Sequence, residues 1–249
     1  MDVNMSRDDE LRDFLEEGNQ VVLLDEFVVE CFKSGRPYQM LYRNLEILRQ
    51  HPQLVVVPYS RGELVRRELE SGLPTPSEEV VCHEYTETLR HLLSLNEEQL
   101  KDELVEHEPK AQGLIEDNNE FSEDYIRCLA AKAGQLDMRE YHHDKEKLQA
   151  DIAWVVIDVV KALLERDCKN RYEIDDFIQN KSMLFIVTYA HLWKVVQWRL
   201  NHGYQQSKKI PNDGFDLKYT ALSCYFDGIL TSEKWLSECR DSILSHYNR

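Results

Sequence analysis

The sequence predicts an α/β protein, with a short, mainly parallel central sheet and a large helical insertion. Three observations predict it. Val21–Leu24 and Leu54–Val57 are unbroken aliphatic runs with the length and composition of strands buried on both faces. Helical periodicity separates and follows them, giving strand–helix–helix–strand–helix over residues 20–70, where right-handed parallel connections are expected. A third short apolar run, Ile229-Leu230, follows a helical segment near the end of the chain.

Residues 6–17 read as a helix: Ser6 is placed to cap it, acids fill its first turn, and Leu11, Phe14 and Leu15 share a face. Asp25 follows the first strand and Glu26 to Phe32 starts a helix. Pro37 precedes a helix over Tyr38–Gln50, with Met40, Leu41, Leu45 and Leu48 at helical spacing. After the second strand, Pro58-Tyr59-Ser60 turns into a helix over Arg61–Glu70, with Glu63 in its first turn. Ser77 to Leu95 reads as a further helix. Asn96 to Asp124 is dense in acids, which fits a solvated face and also a docking surface for a basic partner. Asp124–Ala133 and Arg139–Lys147 are helix candidates, and Asp151–Arg166 is strongly amphipathic. Residues 173–180 and Ser182–His202 follow, the latter ended by Gly203. Leu217–Phe226 and Lys234–Ser245 complete the set. The domain pattern is a discontinuous core, residues 1–70 and 204–249, around a helical subdomain at 71–203.

The 249 residues are 42% apolar and carry a net charge of −16, which argues for a packed core and against a protein that coats nucleic acid. A local metal site for nucleic-acid chemistry is compatible with that charge. The six Cys include no C-x-x-C pair. With no signal sequence or membrane-length apolar run read in the chain, this points to a reduced, cytoplasmic protein.

Acids recur where the predicted strands end or the adjoining helices begin. Asp25 follows the first strand and Glu63 opens the helix after the second. Asp213 and Asp216 open the helix before the last strand, and Glu233 follows that strand, next to Thr231 and Ser232. Taken singly, each also fits a helix cap or a helix first turn. Gathered at one sheet edge, such carboxylates repel unless cations neutralise them, and hard oxygen ligands suit Mg²⁺ or Mn²⁺. Bound ions of this kind activate water against a phosphodiester. Arg61, Lys208, Lys209 and Lys234 supply a basic rim for phosphates. His142-His143-Asp144 is a weaker metal candidate and fits an exposed helix surface.

Three segments resemble PIN-domain nucleases. Val21-Val22-Leu23-Leu24-Asp25-Glu26-Phe27 resembles their first strand and first acid. Val55-Val56-Val57-Pro58 through Glu63-Leu64 resembles the strand, Pro and Glu-Leu element of the second. Pro211-Asn212-Asp213-Gly214-Phe215-Asp216 through Thr231-Ser232-Glu233 resembles the closing element, with Glu233 where Asp is usual. The resemblance implies a PIN-like three-layer fold and a metal-dependent endoribonuclease selective for single-stranded RNA. Asp25, Glu63, Asp216 and Glu233 would bind Mg²⁺ or Mn²⁺, with Asp213 as a neighbouring acid and Asn212, Thr231 and Ser232 in support. Expected partners are RNA or another single-stranded nucleic acid, with a regulatory protein or a second copy as further partners and no membrane. The alternative is a PIN-like module without catalysis that binds a protein through its acidic helical insertion.

Overall fold

The computed structural model describes residues 9–33, 35–107, 129–136, 144–200, 210–231 and 233–247; the side chains of residues 25, 107 and 210–215 are outside that description. Helix accounts for 73% and strand for 3%. The expected three-layer α/β architecture around a central sheet is therefore corrected. The sheet among the described residues has two strands, β1 (Val21–Val22) and β2 (Val55–Val56). They pair in parallel, Val21 opposite Val55 and Val22 opposite Val56, and Leu23 N–H donates to Val56 O at 2.9 Å.

Local chemistry explains why the sheet stops there. The first run turns into helix at Asp25. The second meets Pro58, which has no N–H to extend a ladder and bridges antiparallel to Val81 instead. Ile229-Leu230 is not a strand. Exposed Asp227 and Gly228 lead into it, and Leu230, partly buried, packs through its side chain on a hydrophobic cluster instead of pairing its backbone. The buried strand expected at this short apolar run is corrected: both residues are only partly buried and neither is in a strand.

In chain order the helices are α1 (Asp9–Glu16), α2 (Asp25–Phe32), α3 (Pro37–Asn44), α4 (Glu46–Gln50), α5 (Arg61–Ser71), α6 (His83–Ser94) and α7 (Glu97–Leu104), then α8 (Lys145–Asp167), α9 (Ile174–Gln179), α10 (Met183–Leu200), α11 (Ile210–Ser223) and α12 (Lys234–Tyr247). Residues 129–133 are helical as well. The single helix expected over Tyr38–Gln50 is divided at Leu45, whose φ of −92° and ψ of 2° leave the helical region. The helix expected from Ser77 starts only at His83, because Ser77–Glu79 is a 3-10 turn and Val81 pairs with Pro58.

The chain packs as two compact units. The first comprises Met1–Ser60, Glu78–Asn119 and Leu230–Ser232. Its core joins Leu11 and Leu15 of α1, Val21 and Val55 of the strands, Phe27 of α2, Leu41 of α3, Leu48 of α4, Leu89 and Leu93 of α6 and Leu100 of α7. Thr86 ties α6 to the end of β2: its hydroxyl donates to Cys82 O at 2.8 Å and accepts from Val57 N–H at 3.0 Å. Asn96 and Gln99 form a reciprocal capping box at the start of α7.

The second unit comprises Arg61–Ser77, Glu120–Ile229 and Glu233–Arg249. Its centre is α10, which packs on α5, α8, α9, α11 and α12. Every residue from Met183 to Val196 except Val187 is buried. A helix apolar on all sides suits a position surrounded by other helices. Against it α8 lays Ile152, Val156, Val160 and Leu164, one stripe at helical spacing. Asp144 caps α8 by accepting from Lys147 N–H at 2.9 Å, so this acid of the weaker metal candidate has a structural task; His142 and His143 lie outside the described residues.

Candidate functional site

Glu63 lies in the first turn of α5, where a carboxylate favours the positive end of the helix. Its Oε1 is 2.8 Å from Arg66 Nη2 and 2.9 Å from Arg67 Nε. Arg66 Nε also donates to Oε2 at 3.1 Å. These bonds, Arg66 first, hold the Glu63 carboxyl at about 2. Spacings of three and four residues bring both guanidinium groups over the acid on one helix face. The sequence marked Glu63 as a metal ligand without weighing these two arginines on its own helix.

Asp25 is the first residue of α2, three residues beyond β1 in the chain, and its side chain is outside the described set. Asn212 and Asp213 belong to α11, again with side chains outside the described set. Asp216, on the same helix, is half-buried. Thr231 is half-buried in the first unit, Ser232 is outside the described residues, and Glu233 is exposed immediately before α12. Glu233 also offers its carbonyl to Leu236 N–H at 3.0 Å, an α12 start of the kind read for it. Among the described residues no three His, Cys, Asp or Glu side chains gather as metal ligands.

Of the basic rim, Lys208 and Lys209 lie outside the described residues. Lys234 is exposed, with Nζ 3.4 Å from Glu238 Oε1 one turn on. Arg61 is half-buried, and its Nη1 lies 3.4 Å from His191 Nε2. His191 is 6% exposed on α10. One turn further, Lys194 Nζ sits 3.2 Å from the centroid of the Trp235 ring, a cation–π contact. Trp193 stacks on the same ring at 6.4 Å and 14°. His191 and Lys194, polar residues inside an otherwise apolar helical run, were the available signal for this cluster.

Glu68 was not anticipated. It is fully buried, and its carboxylate holds the start of α10. Oε1 accepts from Thr75 N–H at 3.0 Å and Met183 N–H at 2.8 Å. Oε2 accepts from Leu184 N–H at 2.8 Å and the Ser182 hydroxyl at 2.9 Å. Burial pushes the carboxyl up and these donors pull it back, burial being the larger influence. The first turn of a helix has N–H groups without helical partners, and this acid from α5 satisfies two of them.

No helix among the described residues is long and apolar enough to cross a membrane. The chain matches no family model, no curated protein and no solved structure.

Proposed function

We propose that this chain is a metal-dependent nuclease of the PIN-like kind that hydrolyses phosphodiester bonds of single-stranded RNA in the cytoplasm. The observation that carries the reading is the parallel register of β1 with β2. In a parallel pair both chains leave by the same edge, and ligands of α/β units collect at the carboxyl ends of strands. Asp25 opens the helix that follows β1, and Glu63 opens the helix that follows β2. The likeness to PIN-domain nucleases is one of motifs; the small sheet does not extend it to their fold.

In this reading Asp25, Glu63, Asp216 with Asp213, and Glu233 hold Mg²⁺ or Mn²⁺, for which carboxylate oxygens are the right donors. The metal when bound supplies activation of water and stabilisation of the leaving oxygen. Asn212, Thr231 and Ser232 orient the ligands, and Arg61, Lys208, Lys209 and Lys234 attract the backbone. Glu63 can take this role only by exchanging part of its arginine pairing for metal. The test is cleavage of a labelled single-stranded RNA with Mn²⁺ by the wild type and by Asp25→Asn, which keeps the size of the side chain and removes its charge. Cleavage by the wild type and loss of at least a hundredfold in the variant are expected; equal rates would end the proposal.

One observation favours a second reading, an interaction module without catalysis. The Arg66 and Arg67 clasp on Glu63 already neutralises a proposed metal ligand. A binding surface would then use the acidic α7 and the acidic residues beyond it. A thermal-shift measurement separates the two, since Mn²⁺ bound to the folded state raises Tm. A rise that disappears in Asp25→Asn favours the nuclease, and an unchanged Tm favours the module.

A further inference from the structure

Helix α8 has two opposed stripes. Ile152, Val156, Val160 and Leu164 are buried in the second unit. On the other side Lys147, Trp154, Asp158, Lys161 and Glu165 are exposed. A pitch of 3.6 residues puts Lys147, Trp154, Asp158 and Glu165 within about 20° of the line directly opposite Val156. Trp154 is 72% exposed, more than any other large hydrophobic side chain among the described residues. Tryptophan is among the residue types most enriched at the energetic centre of protein interfaces.

The charges of α8 are arranged about its midpoint. Counting outward equally from Val156, the middle of its 23 residues, Lys145 mirrors Asp167, Glu146 mirrors Arg166, Lys147 mirrors Glu165 and Asp151 mirrors Lys161. Eight of the nine charges of the helix therefore have the opposite sign at the mirrored position; the ninth, Asp158, mirrors Trp154. Ala150 mirrors Ala162, and both are exposed, so small side chains stand where two helices would approach closely. We infer that α8 pairs antiparallel with α8 of a second copy of this chain, about a twofold axis level with Val156. A twofold contact needs a self-complementary surface, and antiparallel pairing brings mirrored positions to the same height. Lys147 of one copy then lies opposite Glu165 of the other. Lys161 lies beside Trp154 of the second copy, where an ammonium favours an aromatic face. Parallel pairing would set every charge against its own like. Centring on Val156 also overlaps the two helices along their whole length, about 34 Å. Lys147 and Asp151 interact within the chain as well; exposed ion pairs are weak and exchangeable, and the sign each presents to a second copy is unchanged. With three acids and two bases on this face, neither a strongly acidic nor a strongly basic partner finds a single sign to read.

The experiment is sedimentation equilibrium of the full chain, which should show a monomer–dimer equilibrium with Kd of about 1–100 μM, as suits one pair of helices. Trp154→Ala should raise Kd by at least about tenfold, since each dimer loses two central indoles. Lys147→Glu and Glu165→Lys should each raise it by about tenfold, because each sets two like-charged pairs across the contact. The double variant Lys147→Glu with Glu165→Lys should return to within about threefold of wild type. These two residues are 18 positions apart on one helix, about 27 Å, too far to compensate within a chain. Recovery in the double variant therefore reports contact between copies and its antiparallel direction. Glu173→Lys, at an exposed position beyond α8, is the control for general surface charge and should dimerise as wild type. Circular dichroism identifies any variant that fails to fold, and the exposed Trp154 then carries the test through Trp154→Gln.

A wild type with the mass of one chain up to about 300 μM would overturn the pairing, since a contact weaker than that range is not a specific interface. A dimer unaffected by Trp154→Ala would place the contact on another face. A double variant no tighter than the single reversals would overturn the antiparallel register, and so would losses in Glu173→Lys equal to those in Lys147→Glu. The pairing does not rest on the nuclease reading: cleavage of RNA by a chain that stays monomeric would sink the pairing alone, and a dimer with the expected charge-swap recovery but without Mn²⁺-dependent cleavage would leave it standing.

Discussion

Replacing Glu68 tests whether one buried carboxylate fastens α5 to the start of α10. Glu68→Ala leaves Thr75, Met183 and Leu184 N–H without their acceptor in a fully buried place. The Ser182 hydroxyl can rotate to another partner, so three donors count. An orphaned buried donor costs about 1–3 kcal/mol. Water entering the space left by the side chain offsets part of this, so the expected loss is about 3–5 kcal/mol, a large share of the stability of an ordinary domain. Glu68→Gln is the sharper perturbation. Its oxygen can keep Thr75 and Met183, but its amide nitrogen meets Leu184 N–H donor to donor. One orphan and a weakened helix-dipole interaction, set against relief of carboxylate burial, give about 2 kcal/mol. Urea unfolding followed by tryptophan fluorescence reads this directly, because Trp193 and Trp235 stack within the same unit. With a slope of about 1–3 kcal/mol per molar urea, the Ala midpoint should fall by roughly 1–5 M and the Gln midpoint by about half as much. An Ala variant within about 0.5 kcal/mol of wild type would refute the reasoning, and so would a Gln variant as damaged as Ala.

Three further outcomes follow from local geometry. Side-chain carbon NMR should find Glu63 titrating at about 2. Because its folded value lies below its unfolded one, its stabilising contribution is complete above the ordinary 4.5 and is lost as pH falls from there toward about 2; an ordinary titration would mean that the arginine pairing is not kept in solution. Gly72→Ala forces a side chain onto φ +77° and puts its Cβ 2.5 Å from Arg171 O; a loss of about 2–4 kcal/mol in chemical denaturation is expected, and a neutral result would mean that this turn shifts freely. Thr86→Val keeps the shape but leaves Val57 N–H without its 3.0 Å acceptor; a loss of about 1–3 kcal/mol is expected, measured by thermal unfolding of the first unit.

The helices were the legible part of the chain, because periodicity reports burial and burial is what makes them. The amphipathic stripe of α8 was visible from Ile152 to Leu164, and Asp144 extends its helix by nearly two turns at the start through a cap. The sheet was legible only in part. Val21–Leu24 and Leu54–Val57 carried enough signal to locate the paired valines, but strand length depends on a partner, and Pro58 finds its partner in Val81. Ile229-Leu230 shows the limit most clearly: apolar character brought Leu230 against a core, partly buried, without making a strand. At the candidate site, the positions of acids relative to elements were readable, whereas partners distant in the chain were not. Arg66 and Arg67 could have been read from their spacing to Glu63. Glu68 could not, because in Arg-Arg-Glu-Leu-Glu it resembles any solvated acid, and three of its four partners lie 114 to 116 residues away.

That separation has a consequence for synthesis on the ribosome. The two units are interleaved: Arg61–Ser77 belongs to the second unit but is followed by Glu78–Asn119 of the first. No single cut of the chain yields either unit whole. At about 5–20 residues per second, the 114 residues between Glu68 and Ser182 take roughly 6–23 s to emerge. Through that interval α5 waits with Leu64 and Glu68 uncovered, a window in which a chaperone or a protease can reach a helix that the finished protein keeps closed.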